Sequence, residues 1–238
     1  MDDTRSCHAP SGEVQSAGMS EQMRIDIYSD TVCPWCFLGK RRFELALGRR
    51  PHYEPRVTWR AFELNPDLPW EGVARAAFLA AKLGEAARAT ALEDLLMHHG
   101  AAVGLEFRFD LIERIPNSRR SHLLIAHAAR RGLQNAVKER VMRAYFQEGV
   151  DIGEVDELVR LGTDVGLAAR DARTALVLRE DQDGVVAAER HASALGITGV
   201  PTYVFDGQYS ISGAQEPSAL AGIFDQVAEL AAARNAVP

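Results

Sequence analysis

The clearest repeat of apolar and polar positions lies near the start of the chain. Apolar and polar residues alternate over residues 23–28, which is the period-two pattern of a β-strand with one buried face. Residues 34–47 have a helix-forming composition instead, and Phe43 and Leu47 lie one helical turn apart. Alternation returns over residues 57–62. The order strand, helix, strand predicts two parallel strands joined by a right-handed crossover.

The middle of the chain has a helical pattern. Residues 73–195 are rich in Ala, Leu, Arg and Glu, and glycine or proline interrupts them at intervals typical of helix ends. Apolar residues recur there at helical spacing, as at Leu124 and Ala128. This pattern predicts six or seven helices, with residues 105–109 as a connection between two of them.

Strand patterns return near the C-terminus. Residues 202–205 and 209–212 are β-prone, and Asp206 followed by Gly207 is a strong signal for a tight hairpin between them. A final helix is predicted over residues 218–233. Neither end of the chain could bury both faces of a sheet alone, so we expect the two ends to form one sheet. The predicted fold class is therefore α/β, with the helical block inserted between the second and third strands.

These elements predict one domain flanked by tails. Residues 1–22 are rich in Ser, Gly, Ala and Gln and contain hardly any large apolar residue, so we expect a disordered tail. Residues 23–233 form the predicted domain, residues 66–195 are the helical insertion within it, and residues 234–238 are a short C-terminal tail. The length of 238 residues is compatible with a single large domain.

Composition and charge narrow the function classes. The chain has 27 Lys and Arg against 33 Asp and Glu, a net charge of −6, and its basic residues are scattered in pairs. Nucleic acids and anionic membranes attract concentrated positive charge, so neither is an expected partner. No stretch approaches the roughly 18 apolar residues of a membrane-spanning helix, and residues 1–22 do not resemble a secretory signal. We therefore expect a cytoplasmic protein, and its oligomeric state is left open.

Two of the three cysteines are the strongest chemical signal in the chain. Cys33 and Cys36 are separated by Pro34 and Trp35 and lie where the first strand ends and the first helix begins. The N-terminus of a helix carries unpaired N–H groups and a partial positive charge, which favour a thiolate. We therefore expect Cys33 to be an acidic, exposed nucleophile, and Cys36, one turn later, to resolve the mixed disulfide.

Two other interpretations of the cysteine pair are open. A Cys-x-x-Cys pair is also half of many zinc sites, but the chain has no second pair, and His98 and His99 are too close together to complete the usual spacing. The two cysteines could also be inert. Their position between a strand and a helix favours redox chemistry over both, so no metal site is predicted. The third cysteine, Cys7, lies in the predicted tail and is expected to be a surface thiol.

Three motifs, in the same order, resemble the DsbA family of thiol-disulfide oxidoreductases, and in particular its FrnE-like branch. They are the run Ser-Asp-Thr-Val-Cys-Pro-Trp-Cys-Phe-Leu-Gly-Lys-Arg-Arg-Phe at residues 29–43, Gly-Val-Pro-Thr at residues 199–202 and Ser-Gly-Ala-Gln at residues 212–215. The resemblance covers residues 23–233. It implies a thioredoxin fold that contains a helical insertion.

The resemblance also implies roles for individual residues. In this family the first cysteine of the motif, here Cys33, is the nucleophile and the second, here Cys36, resolves. A cis peptide bond is implied between Val200 and Pro201, although trans bonds before proline are far more common in general. The loop would then pack against the motif and pair with substrate through its backbone. The substrate-binding residues implied in this way are Pro34, Trp35, Val200 and Pro201.

The sequence offers one candidate proton acceptor for the second thiol. Thioredoxin-like enzymes often bury an acid six residues before the nucleophile, but that position is Ile27 here. Asp26 lies on the opposite strand face, whereas Asp30 lies at the C-terminal end of the strand, near the motif. Asp30 is therefore the candidate proton acceptor, although a role at the turn or helix entry explains it equally well.

The leading hypothesis is a thiol-disulfide oxidoreductase or isomerase whose redox centre is the Cys33–Cys36 disulfide. No other cofactor is expected, glutathione is a candidate co-substrate, and the substrate is a protein or small molecule that carries thiols or a disulfide. Trp35 places no cation beside Cys33, so we expect a less oxidising couple than that of a periplasmic oxidant. In a reducing cytosol, reduction or isomerisation is the easier direction.

Two alternative functions are kept. Related glutathione-dependent isomerases and kappa-type glutathione transferases activate glutathione, commonly through a serine at the nucleophile position, where this chain has Cys33. The other alternative is a non-catalytic chaperone or binding module that uses the helical block. Nothing in the sequence requires either.

Overall fold

The computed structural model describes residues 22–84 and 86–235. The predicted N-terminal tail, apart from Gln22, lies outside the described residues, and so does Cys7. Residues 236–238 of the predicted C-terminal tail also lie outside them.

The first strand, helix and second strand form where the sequence patterns predict them. β1 spans Arg24–Ser29, α1 spans Pro34–Gly48 and β2 spans Arg56–Ala61. Both isoleucines of β1 are fully buried, as the alternation requires. Proline stands at the first position of α1, where its missing N–H costs no hydrogen bond.

The block between β2 and the C-terminal strands is helical, as predicted. Seven α-helices form within the described part of residues 75–194. In the predicted connection at residues 105–109, the first four residues are irregular and the last begins a short 3-10 helix at Phe109–Leu111. Two strands that the sequence does not predict, β3 (Val73–Ala74) and β4 (Arg114–Ile115), pair antiparallel; two residues are too few to show a period. The helices are α2 (Arg75–Leu83), α3 (Ala86–Ala101), α4 (Arg119–Ala129), α5 (Gln134–Glu148), α6 (Val155–Asp164), α7 (Ala169–Leu178) and α8 (Gln182–Ala194).

The C-terminal part is a hairpin followed by a helix. β5 spans Thr202–Phe205, β6 spans Tyr209–Ser212 and α9 spans Pro217–Asn235, so the first two residues of the predicted C-terminal tail are helical. Asp206 and Gly207 have φ of 50° and 69°, the left-handed values that a two-residue hairpin turn requires. Within the described ranges, no helix combines the length and apolar character needed to cross a bilayer.

The two ends of the chain form one four-stranded sheet in the order β2-β1-β5-β6. β1 and β2 are parallel, with Ile27 opposite Trp59. β5 is antiparallel to β1, with Tyr203 opposite Ile27, and β6 is antiparallel to β5. The expected α/β thioredoxin fold with a large helical insertion is confirmed.

Aromatic side chains fill both faces of the sheet. On one face, the ring of Phe43 in α1 stacks on Tyr203 of β5 and meets Phe224 of α9 edge-on, at 5.7 and 5.6 Å between centroids. On the other face, Tyr28 and Val204 pack with α8. Successive strand residues point to opposite faces, which places Tyr203 and Val204 in different layers of the core.

The insertion packs against the start of α1. The ring of Phe37 stacks on Phe146 of α5 with centroids 5.6 Å apart, and it meets Phe107 edge-on at 6.0 Å. The hydroxyls of Thr31 and Ser121 form a buried hydrogen bond of 2.7 Å. These contacts fix α4 and α5 beside the turn that carries the two cysteines.

Candidate active site

The cysteine motif occupies the junction between β1 and α1, as the sequence predicts. Cys33 is the N-cap residue of α1, and its carbonyl oxygen accepts hydrogen bonds from the N–H groups of Cys36 and Phe37, at 3.0 and 3.3 Å. Both cysteines are free thiols. The first helical turn therefore holds the two sulfurs on one side of the helix N-terminus.

Burial of the first cysteine corrects one expectation. Cys33 is only 4% exposed and Cys36 only 1%, so the exposed nucleophile expected from the sequence is wrong for this state of the protein. The cause is the insertion and the loop before β5, which cover the helix N-terminus. A single sequence pattern does not reveal which distant segment covers a helix end.

The acidity expected for Cys33 is also not found. The pKa of the Cys33 thiol lies well above its ordinary value, first because of its hydrogen bond with the Cys36 side chain, and then because of burial and the nearby Cys36 charge. The negative charge of Asp30 also raises this pKa, while the backbone N–H of Cys36 lowers it. Two sulfurs in contact titrate as a pair, so a closed dithiol resists losing protons.

The loop before β5 lies against the cysteines. The bond between Val200 and Pro201 is cis, as the family resemblance implies. The Cys33 thiol points to the Val200 carbonyl oxygen at a sulfur–oxygen distance of 3.9 Å. The N–H of Gly213 donates to the Pro201 carbonyl at 2.7 Å, and the Thr202 hydroxyl is bonded to Gly199. Hydrogen bonds to Gly213 and within the loop itself therefore fix the loop beside the cysteines.

The third motif of the sequence supports this loop. Arg42 of α1 is buried and donates to the Ala214 carbonyl at 2.6 Å, and it forms an ion pair with Glu216 at 2.6 Å. The Gln215 side chain donates to the Ser212 carbonyl at 2.7 Å. The Ser-Gly-Ala-Gln motif therefore shapes the backbone that follows β6.

The residues between the cysteines are half-buried rather than fully accessible. Pro34 and Trp35 both retain some exposed surface. The Trp35 ring lies 6.1 Å from the ring of His99, and Arg42 lies 3.2 Å from the same histidine. His99 thus packs against the motif. Among the described residues, no three His, Cys, Asp or Glu side chains converge as a metal site would need.

An apolar cavity of about 190 Å³ borders Cys33 and Pro34. It lies under α2 and α3 of the insertion, and the ion pair between Arg75 and Glu93 lies on its wall. Its apolar lining includes Val32, Leu64, Leu92, Leu96, Phe109 and Phe146. The cavity is the space through which a ligand could approach the Cys33 sulfur.

Asp30, the candidate proton acceptor, is fully buried at the end of β1. Its carboxylate accepts hydrogen bonds from the Leu64 N–H at 2.7 Å and from His122 Nε2 at 3.3 Å. Burial alone raises the pKa of Asp30, but His122 and the Leu64 N–H lower it below the ordinary value. A carboxylate with a lowered pKa is a weak base, so the geometry favours the turn role for Asp30.

Two charged or polar groups near the cysteines were not singled out from the sequence as site residues. His122 of α4 faces Asp30, and Lys138 of α5 is 1% exposed with its ammonium 3.4 Å from the Ser29 carbonyl. Lys138 lies three and four residues before the buried Val141 and Met142, so it shares their face of α5. A lysine in a helix is ordinarily a surface residue, and no local pattern marks it otherwise.

The model of the DsbA-like thioredoxin domain matches residues 24–225, from β1 into α9 and across the insertion. The chain belongs to the DsbA-like thioredoxin domain family. The DsbA-like chain is therefore, at the level of the family, a thiol-disulfide oxidoreductase with a Cys-x-x-Cys pair.

The chain is also similar to individual proteins. A Streptomyces coelicolor protein described as a probable DsbA oxidoreductase is 35% identical to this chain. The match spans 87% of this chain and 90% of the Streptomyces protein, with a TM-score of 0.81. YwbO of Bacillus subtilis is 29% identical over 183 residues, which are 76% of this chain and 86% of YwbO. The cytosolic disulfide reductase DsbM from Pseudomonas aeruginosa, at 19% identity and a TM-score of 0.64 over 87% of this chain and 99% of DsbM, shares the fold.

Proposed function

We propose that this DsbA-like protein exchanges disulfides through its cysteine pair, with Cys33 as nucleophile and Cys36 as resolving thiol. The observation that carries the proposal is the pairing of the dithiol with the cis-proline loop, where Val200 O lies 3.9 Å from Cys33 Sγ. A substrate disulfide that enters here meets a sulfur and a backbone carbonyl together. Pro34, Trp35, Val200 and Pro201 are the proposed contacts for substrate.

The reaction balances as two thiol-disulfide exchanges. The Cys33 thiolate attacks one sulfur of the substrate disulfide, so a Cys33–substrate bond forms, the substrate S–S bond breaks and the leaving sulfur takes a proton. Cys36 then attacks the Cys33 sulfur, which forms the Cys33–Cys36 disulfide and releases the second substrate thiol. The substrate gains two electrons and two protons. Two molecules of a low-molecular-weight thiol of the glutathione class then return the enzyme to the dithiol and leave joined as their own disulfide.

The direction we propose is reduction or isomerisation, in the cytoplasm. A dithiol–disulfide couple is strongly oxidising when the protein stabilises the thiolate of its reduced form. Here the pKa of Cys33 is raised by Cys36 and by burial, so the reduced form gains little from ionisation. This supports a reducing couple. The motif at residues 29–43 leads us to place the protein in the FrnE-like branch.

The cavity beside Cys33 supports a substrate with an apolar group next to its sulfur. Its lining is aliphatic and aromatic, and a cavity of about 190 Å³ holds a side chain rather than a folded segment. We therefore propose that a protein substrate presents a disulfide flanked by an apolar side chain, or that a small apolar disulfide enters directly.

The test is dithiol-dependent reduction of insulin by wild-type protein and three cysteine variants. We expect Cys33→Ser to lose turnover, and Cys36→Ser to accumulate a mixed disulfide because nothing displaces the substrate from Cys33. Cys7→Ser is the matched control and is expected to turn over like wild type.

Equal turnover by wild type and Cys33→Ser would contradict the proposal. Glutathione binding without disulfide turnover, together with isomerisation of an aromatic substrate, would favour the glutathione-dependent isomerase instead. Suppression of client aggregation by a variant lacking both motif cysteines would favour the chaperone alternative.

A further inference from the structure

Two lysines are buried behind the cysteine motif, and they differ in their partners. Lys40 of α1 and Lys138 of α5 are each 1% exposed. Lys40 forms ion pairs with Glu44 and with Glu139, the latter at 2.7 Å. Among the described residues, no carboxylate pairs with Lys138, whose only hydrogen bond is the 3.4 Å contact with Ser29 O.

An unpaired ammonium is expensive inside a protein. Removing it from water carries a large desolvation penalty unless a negative group compensates, and without such a group it tends to lose its proton. The negative groups that act on Lys138 are Cys36, Asp30 and Cys33, in that order. Asp30 is already bonded to His122 and to the Leu64 N–H. That leaves Cys36, and the Ser29 carbonyl that Lys138 contacts stands at the end of β1, just before the turn that carries the cysteines.

A second cavity, which shares no lining residue with the apolar cavity, reaches Lys138. Its volume is about 210 Å³, and it lies between β2 and helices α4, α5 and α8. Lys138 and His122 both line it, together with Trp59 and Gln134. The apolar cavity at Cys33 has different walls. A proton could thus pass between Lys138 and solvent without crossing the space where substrate binds.

We propose that Lys138 is the proton acceptor and counter-charge of the Cys36 thiol. This rests on the proposed disulfide exchange and assigns the role for which the sequence had suggested Asp30. The insertion then completes the redox site, because α5 supplies a group that the thioredoxin core lacks at Ile27.

The step balances within the proposed cycle. While substrate is held on Cys33, the Cys36 thiol passes its proton to the Lys138 amine, which gives a thiolate and an ammonium. The thiolate attacks the Cys33 sulfur, the Cys33–Cys36 bond forms, and the substrate sulfur leaves with its electron pair. The ammonium, now without a negative partner, loses its proton through the second cavity to water, and the departing substrate thiolate takes a proton from solvent.

Charged and titratable groups of five elements surround Lys138. α1 contributes Cys36 and the ion-paired Lys40, and β1 leads to Asp30. α4 contributes His122, β2 contributes Arg60, and α5 itself contributes Glu139. Burial first, and then Lys40, lower the pKa of Lys138 to about 8, although both cysteines and Asp30 raise it. An amine with this pKa can exchange a proton near neutral pH, which agrees with the geometry.

The first experiment follows the Cys36 thiolate by its absorbance near 240 nm in a Cys33→Ser background. Lys138→Met keeps the length of the side chain and removes its charge, so we expect the midpoint of the Cys36 titration to rise by at least about one pH unit, or tenfold. The matched control is the double variant Lys40→Met, Glu139→Gln, which removes an equally buried ammonium without changing the net charge. It is expected to leave the midpoint in place.

A second measurement uses unsubstituted protein and so does not depend on a variant folding. The 13C shift of the Lys138 Cε, titrated by NMR, should show a higher apparent pKa in the dithiol form than in the disulfide form, because only the dithiol can supply a thiolate. Equal values in the two forms, or equal shifts for both lysine variants, would overturn the assignment. If wild type itself turned over no disulfides, the proposed function would fail instead, and the two failures are therefore distinguishable.

Discussion

At the scale of single residues, Asp30 and Lys138 place opposite charges behind the same pair of sulfurs. The sequence points to Asp30 because it precedes the motif directly, and the structure confirms that it is buried there. Its carboxylate accepts a local hydrogen bond from the Val32 N–H at 3.4 Å, but its other partners are the Leu64 N–H and His122, which sequence spacing cannot connect to residue 30. Proximity along the chain identified the cysteines and Asp30; the base strength of Asp30 depends on distant partners.

Replacing Asp30 tests how this charge acts on Cys33. The negative charge of Asp30 raises the pKa of Cys33, so we expect Asp30→Asn to lower that pKa in a thiolate titration. The variant also loses charge-assisted hydrogen bonds, which predicts about 1–3 kcal/mol lower stability at pH 7 by urea unfolding. Asp26→Asn is the control, since Asp26 forms only a partly exposed ion pair with Arg60.

The same substitution predicts a pH dependence. Because the folded-state pKa of Asp30 lies below its ordinary value, the carboxylate stabilises the fold above the unfolded pKa of about 3.9 and loses that effect as pH falls through the lowered pKa. The stability difference between wild type and Asp30→Asn should therefore shrink as the pH falls through the acid range in which Asp30 is protonated. A difference that stayed unchanged throughout that acid range would contradict the direction of this pKa.

At the scale of elements, α1 approaches the start of β5 so closely that one of its positions leaves no room for a Cβ atom unless a neighbour moves. A Cβ atom on Gly39 would lie 2.7 Å from the Tyr203 hydroxyl and 2.8 Å from Pro201 Cγ. The close approach brings the cis-proline loop against the cysteines. Gly39 belongs to the cysteine-containing motif, but the steric need for glycine there becomes clear only when α1 and β5 are placed together.

Gly39→Ala should therefore destabilise the protein although alanine favours helices. Forcing a methyl group into this contact predicts a loss of about 1–3 kcal/mol in urea unfolding, and lower turnover because the loop must move from Cys33. Gly48→Ala is the matched control near the end of the same helix, where nothing lies within 4 Å of the added Cβ. There we expect a gain of up to about 1 kcal/mol. Similar effects at both positions would mean that the contact does not restrict α1.

Elements with a long enough pattern were predictable. β5, the Asp206 and Gly207 turn, and β6 form with the predicted boundaries, because alternation and turn chemistry are both local. β3 and β4 were missed, since their pairing depends on contacts between residues about 40 positions apart. The covering of Cys33 was missed for the same reason.

At the scale of the whole molecule, the insertion is part of the site. It places His122 and Lys138 behind the cysteines, and its residues line both the cavity at Cys33 and the cavity at Lys138. Trp59 of β2 donates from its ring N–H to Asn135 at 3.0 Å, so the edge of the sheet is joined to α5. The order of elements predicted the insertion, but not its contribution of charge to the core.

Burying Lys138 should cost the folded protein stability at neutral pH. Its pKa falls from 10.5 to about 8, chiefly through burial, which is equivalent to about 3 kcal/mol. The unfolded chain binds more protons than the folded one between these two pKa values, so the free energy of unfolding rises with pH across that window.

With both motif cysteines replaced by serine, we expect Lys138→Met to be more stable than its parent by about 3 kcal/mol at pH 7, and equal to it near pH 11. Urea unfolding at a series of pH values measures the difference, in which the titration of all other groups cancels. A variant less stable than its parent at pH 7 would mean that Lys138 is held by a stabilising partner, and its retention for proton transfer would lose its physical basis.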